Sequence, residues 1–234
     1  VRFSALIGAM TRTLFITGTD TGVGKTVLTA LLAGFLQERG EQVAALKPIC
    51  SGGREDAQIL HAILRGKMEL DQINPWHYRA AVAPLLSARQ EGKRLQVEPV
   101  LAHIREVQKR FSWVLVEGAG GLLSPLGTDF DSRDLLTSLR ATPVIAAPNQ
   151  LGVVNHILLT LAALRPKLRA EARVILMAPA VCDSATGSNA DLLRQIGVPR
   201  VCQLPHFGEK ESLAARLRRP GVRATLAALT GLAG

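Results

Sequence analysis

Short apolar runs alternate along this chain with longer stretches of helical spacing. That alternation predicts an α/β fold, a mainly parallel sheet with helices on both faces. Glycine-rich turns follow several of the apolar runs, as expected where strands end at a ligand-binding edge. No internal repeat, low-complexity linker or composition break divides the 234 residues, a length that suffices for one well-buried domain.

The elements follow in order. Residues 13–17 form the first buried apolar run, and residues 25–39 carry the first helical periodicity. A second strand is expected at 43–47 and a helix at 55–65. Residues 71–84 are the least regular and are expected to form a long loop near the ligand end. Further helices are predicted at 100–110, 133–139, 153–164 and 189–196. They alternate with strands at 113–117, 143–147, 174–177 and 201–204. Met10 precedes the first strand and is the expected start of a single domain spanning 10–234. Residues 1–9 are expected to be a mobile extension without a secretion signal.

Composition narrows the class. An apolar fraction of 47% with 20% charged residues excludes a disordered chain. No apolar run reaches the roughly 18 residues of a membrane span, so no membrane partner is expected and the cytoplasm is the expected location. The formal charge of +9 admits nucleic-acid binding, but the basic residues are scattered and aromatics make up only 4%. A solvated basic surface, with no nucleic acid bound, is the preferred reading. Cys50, Cys182 and Cys202 have no metal spacing and read as reduced, buried thiols.

The strongest motif is Gly18-Thr19-Asp20-Thr21-Gly22-Val23-Gly24-Lys25-Thr26, which fits G-x-x-x-x-G-K-[ST]. It follows an apolar strand and opens a helix, the context in which such a loop cradles phosphate on backbone N–H groups and a helix dipole. A merely structural glycine turn is disfavoured by the lysine, the threonine and both flanks. The fold class is therefore a P-loop NTPase, with ATP and Mg²⁺ as expected cofactors. Lys25 is expected on the β- and γ-phosphates, with the Thr26 hydroxyl on Mg²⁺. No second lysine occupies Thr19, Asp20 or Thr21, which weakens a reading as a regulatory or partitioning ATPase.

Mg²⁺ prefers oxygen ligands, often one or two carboxylates. Glu117 ends a strand and precedes Gly118-Ala119-Gly120-Gly121; a strand beside the P-loop strand would aim it at the γ-phosphate. Asp56 opens a helix beyond Ser51-Gly52-Gly53 and serves equally as a ligand or as a first-turn acid stabilised by the helix dipole. Lys47 is either a solvated strand cap or, if its strand neighbours the P-loop strand, a second cation on the same phosphate. Gln150-Leu151-Gly152-Val153-Val154-Asn155-His156 opens a helix whose N–H groups could hold a carboxylate, a plain helix cap being the simpler reading. His61, His77, His103 and His156 read as surface or packing residues.

Together these segments resemble dethiobiotin synthetases. Residues 17–26, Lys47-Pro48-Ile49-Cys50-Ser51-Gly52, Val116-Glu117-Gly118-Ala119-Gly120-Gly121 and Leu151-Gly152-Val153-Val154-Asn155-His156 occur in the family's order and at similar spacing. The resemblance implies closure of the ureido ring of dethiobiotin from 7,8-diaminopelargonate, CO₂ and MgATP, through a carbamate and a carbamic-phosphoric anhydride. It implies that Lys47 and Lys25 hold the γ-phosphate and carbamate, and that Thr21 and Ser51 line the diamine site. Gly22, Val23, Gly24, Lys25, Thr26 and Val27 would cradle the nucleotide, with Thr26, Asp56 and Glu117 around Mg²⁺. Gly118, Ala119 and Gly120 would contact ATP or substrate, and Pro205, His206 and Phe207 would lie beside the adenine. Leu151, Gly152 and Asn155 would reach the substrate from the second subunit of a homodimer.

Two positions depart from the family pattern: Gly22 stands where some members carry Glu, and Ala178-Pro179 replaces the adenine-reading Asn-Asp. Three other readings compete. A cobyrinate-amidase-type synthetase needs a glutaminase domain that the residues after the sheet are too few to form. A Min/Par-type switch predicts the missing early lysine or an amphipathic basic C-terminal helix, and the basic run 212–219 meets Pro220. A nucleic-acid binder rests on charge alone.

Overall fold

The computed structural model describes residues 11–198, 200–208 and 210–232. The expected extension at 1–9 lies outside the described residues.

In chain order the elements are β1 (Arg12–Gly18), α1 (Lys25–Glu38), β2 (Val43–Leu46), β3 (Ile49–Ser51), α2 (Glu55–Leu64), α3 (Leu70–Ile73) and β4 (Trp76–Tyr78). Then come α4 (Pro84–Gln90), α5 (Val97–Gln108), β5 (Trp113–Glu117), β6 (Pro125–Gly127), β7 (Phe130–Asp131), α6 (Ser132–Leu139) and β8 (Thr142–Pro148). The chain continues with α7 (Val153–Ala162), α8 (Pro166–Glu171), β9 (Arg173–Met177), α9 (Asn189–Gln195), β10 (Val201–Leu204), α10 (Leu213–Leu217) and α11 (Pro220–Thr230).

Six strands form one sheet in the order β10-β9-β8-β1-β5-β2, and every pairing in it is parallel. The sheet is buried on both faces, so its strands read as continuous apolar runs: Phe15, Ile16, Val114, Leu115, Val144 and Ile145 are fully buried. α1 packs through Leu28, Leu31, Leu32, Phe35 and Leu36, the helical spacing visible in the sequence. Its Gly34 lies where a Cβ would meet Leu217 at 2.8 Å, so the absence of a side chain there lets α10 pack closely.

The six predicted sheet strands and six predicted helices are present, with ends shifted by a few residues. The segment 71–84 is more ordered than expected: α3 overlaps its start, β4 lies within it, and β4 pairs in parallel with β3. These elements are too short for periodicity to reveal. The basic run before Pro220 is α10; proline then occupies the first turn of α11, where its missing N–H has no intrahelical partner to lose. Among the described residues no helix is long and apolar enough to cross a membrane. Of the three thiols expected to be buried, Cys50 is, Cys182 is exposed and Cys202 is half-buried; none is in a disulfide.

Candidate active site

The site forms where β1, β5 and β2 end. Gly22 and Gly24 adopt φ of 74° and 93°, the left-handed region that favours glycine. Gly24 also lies where a Cβ would sit 3.0 Å from the Met177 methyl. It is the N-cap of α1 and offers no side-chain cap, so the first-turn N–H groups of the helix remain free for an anion. Lys25 folds back over the loop and donates to the Asp20 carbonyl at 2.8 Å. Burial, then the nearby Lys47 charge, lowers its pKa to about 8 against the opposing pull of Glu117 and Asp56.

Lys47 does not sit beside the P-loop strand, as the sequence argument required. β2 is the sheet edge and β5 lies between it and β1. The register Leu46↔Val116 nevertheless places the next residues, Lys47 and Glu117, side by side. Nζ of Lys47 lies 2.6 Å from Glu117 Oε1 and 3.1 Å from Asp56 Oδ2, and it donates to the Gly118 carbonyl at 3.1 Å. Glu117 Oε1 also accepts from the Thr26 hydroxyl at 2.8 Å. Lys47 and Glu117 are buried, whereas the Asp56 side chain is 48% exposed. Burial alone would lower the Lys47 pKa, but the two carboxylates outweigh it and raise the value. Burial would raise Asp56; Lys47, then the Thr26 hydroxyl, brings its pKa below the ordinary carboxylate value. The solvated-cap reading of Lys47 is thereby excluded.

These oxygens fit a hard divalent cation. The second Glu117 oxygen is buried without any hydrogen-bond partner, an arrangement that a metal ligand role resolves. One hydroxyl and two carboxylates suit Mg²⁺, which keeps phosphate and water among its ligands. Among the described residues no group of three His, Cys, Asp or Glu side chains could hold a metal by itself.

A cavity of about 720 Å³ opens over this cluster. Of the residues singled out from sequence, Thr21, Gly22, Gly24, Lys25, Thr26, Val27, Lys47, Ser51, Asp56, Glu117, Ala119 and Gly120 line it. Val23 is buried beneath the loop, and Gly118 packs where a Cβ would meet Ser132 Oγ at 3.1 Å. Ser51 spends its hydroxyl proton on the Val82 carbonyl at 2.6 Å, pinning the chain at 81–84 across the cavity. Ile59, Val82 and Pro84 give that wall an apolar face that sequence reasoning did not assign; only the irregularity of 71–84 hinted at it.

Leu151, Gly152 and Asn155 stand at the carboxyl end of β8 but do not line this cavity. Gly152 caps α7 with φ 90°, and the Leu151 N–H donates to Asp183 at 2.6 Å. Leu151 is 78% exposed, near-complete exposure for a large apolar side chain. Pro205, His206 and Phe207 follow β10, also outside the cavity lining, and the guanidiniums of Arg216 and Arg219 both lie over the Phe207 ring. His77 and His156 are exposed, His61 and His103 are half-buried, and none lines the cavity.

A family model described as an AAA domain matches residues 12–211. The ATP-dependent dethiobiotin synthetase of Anaeromyxobacter sp. (strain Fw109-5) is 35% identical over 201 residues, covering 83% of this chain and 90% of that one. The enzyme of the same name from Methanococcus vannielii is 35% identical over 154 residues, covering 66% and 73%. Among solved structures, a ParA family ATPase from Chlorobium tepidum TLS superposes with a TM-score of 0.60 at 17% identity, over 95% of this chain and 99% of that one. MinD from Aquifex aeolicus gives 0.59 at 16% identity, over 95% and 98%. Those two likenesses establish the fold alone.

Proposed function

The chain belongs to the ATP-dependent dethiobiotin synthetase family, and on that premise we propose that it closes the ureido ring of dethiobiotin from 7,8-diaminopelargonate, CO₂ and MgATP. The observation that carries this reading is the pair of buried lysines, Lys25 and Lys47, on one cavity floor with Glu117 and Asp56. Two cations aimed at one phosphoryl group suit a transfer reaction, in which positioning and charge stabilisation supply most of the catalysis.

One amine of the substrate adds to CO₂ and loses a proton, giving a carbamate. The carbamate oxygen attacks the γ-phosphorus, ADP leaves, and a carbamic-phosphoric anhydride forms. The second amine then attacks the carbamoyl carbon, gives up a proton, expels phosphate and closes the ring. The P-loop N–H groups and Lys25 hold the phosphates in line. Lys47 stabilises charge on the transferring group and on the carbamate. Thr26, Asp56 and Glu117 would hold Mg²⁺, which would supply charge neutralisation for the phosphates. Thr21 faces the diamine end, Ser51 sets the wall beside it, and Ala119 and Gly120 close the opposite side.

The substrate tail is reached by Leu151, Gly152 and Asn155 of a second copy, in a homodimer. Supporting this are the exposed apolar side chains of Leu151 (78%), Leu159 (62%) and Val181 (83%), surface that a second copy would cover. Pro205, His206 and Phe207 flank the base. The substrates are small molecules, and the enzyme works in the cytoplasm as one domain spanning 10–234.

The test is phosphate release from MgATP with and without diaminopelargonate and bicarbonate. Release should require both. Equal release without the diamine would replace this reading with a nucleotide switch.

A further inference from the structure

Resting on the reading that Lys47 acts at the transferring phosphoryl group, we propose that Asn74 is the positioning residue that sets Lys47 against the metal carboxylates. Asn74 lies in no motif and outside the cavity lining, yet it is fully buried. A buried amide is retained where its hydrogen bonds are satisfied, and this one has three of them. Its Nδ2 donates to the Lys47 carbonyl at 2.7 Å. Its Oδ1 accepts from Arg54 Nε at 3.0 Å and from the Cys50 thiol at 3.2 Å.

Those partners are the point. Lys47 follows the last residue of an edge strand and precedes Pro48, which has no N–H, so ordinary strand pairing cannot hold this peptide from both sides. The last residue of α3 and the short segment after it do so instead. The Lys47 N–H donates to the Ile73 carbonyl at 3.0 Å, the Lys47 carbonyl takes the Asn74 amide, and the Pro48 carbonyl accepts from Trp76 N at 3.1 Å.

Arg54 is the N-cap residue of α2, two positions before Asp56. Its guanidinium reaches Asn74 through both the side chain and the main-chain carbonyl, and it also pairs with Asp71 at 2.8 Å. Asn74 therefore joins the backbone under Lys47 to the start of the helix that carries Asp56. The 3.1 Å separation of Lys47 and Asp56 follows from that joint, because a side-chain tip can be placed to a few tenths of an ångström only if both backbones are fixed.

The experiment is a double-mutant cycle of Asn74→Ala with Lys47→Ala, read as kcat for phosphate release with diaminopelargonate and bicarbonate, and as Kd for MgATP. Asn74→Ala should lower kcat about 10- to 100-fold in the wild-type background and less than about 2-fold in the Lys47→Ala background, because the two act as one unit. MgATP affinity should stay within about threefold, since the P-loop is untouched. Asn74→Asp keeps the volume and loses the donor to Lys47, and it should reproduce the kcat loss; it serves if the alanine variant does not fold.

A full loss in both backgrounds, or a parallel fall in MgATP affinity, would show Asn74 to be a general fold residue and overturn the proposal. If Lys47→Ala itself leaves turnover unchanged, the reading of Lys47 fails, and the proposal fails with it. The two failures are distinguishable because the Lys47 single variant reports the first and the coupling reports the second.

Discussion

Replacing Lys47 by methionine keeps the length of the side chain and removes the ammonium that neutralises two carboxylates. In the native site the Lys47 and Glu117 side chains are 5% and 0% exposed, while Asp56 is 48% exposed. Asp56 can be solvated once the ammonium is gone. Glu117 cannot: it would keep the Thr26 hydroxyl on one oxygen and nothing on the other. Breaking a buried pair from one side costs about 3–5 kcal/mol. In a domain of this size each kcal/mol moves Tm by about 2–4 °C, so Lys47→Met should melt about 6–20 °C lower than the wild type.

The same substitution frees the Asp56 and Glu117 oxygens, beside the Thr26 hydroxyl, for a metal without nucleotide. A cation at 100 times its Kd contributes about 2.7 kcal/mol, which restores roughly 5–11 °C. In the native protein the Lys47 ammonium already neutralises these carboxylates, so Mg²⁺ alone should move Tm by less than about 2 °C. The assay is thermal unfolding of both proteins with and without millimolar MgCl₂, in the absence of ATP. A variant that melts within about 2 °C of the wild type would refute the buried-pair argument. Equal Mg²⁺ effects on both proteins would refute the idea that the Lys47 ammonium competes with a cation for these carboxylates.

Two further outcomes are expected. Asn155→Ala should raise KM for the diamine several-fold and leave ATP affinity nearly unchanged, because Asn155 is exposed and does not line the cavity of its own chain. Steady-state kinetics checks the split, and sedimentation showing a monomer at micromolar protein would refute the cross-subunit placement. GTP, CTP and UTP should support turnover within about two orders of magnitude of ATP in kcat/KM, a gap of roughly 2.7 kcal/mol. Ala178 and Pro179 bring no side-chain donor, the Ala178 N–H is spent on the Leu204 carbonyl, and the Asn189 amide donates to Asn149 and Gln150. Comparing kcat/KM for the four triphosphates decides it, and a preference for ATP beyond about 10³-fold would mean that another residue reads the base.

By itself the sequence determined the class of fold and the chemical equipment. The alternation of apolar runs and helical stretches is dictated by local burial, so the six sheet strands and α1 were legible without a structure. The phosphate loop was legible because its glycines, lysine and threonine must lie within nine consecutive residues. Glu117 was legible because an acid at a strand end before a glycine run has little structural purpose.

What only the tertiary structure decided are relations between residues far apart in the chain. Strand order is one: β2 lies beyond β5, and Lys47 reaches the Glu117 and Asp56 carboxylates through the β2–β5 register and not through adjacency to β1. The apolar wall at 81–84 is another, since the contact that ties it to Ser51 joins residues 31 positions apart. Asn74 is the clearest case. An asparagine before a proline reads as a turn residue, and its contacts with Lys47 and Arg54 span 27 and 20 positions, a separation that no local pattern encodes.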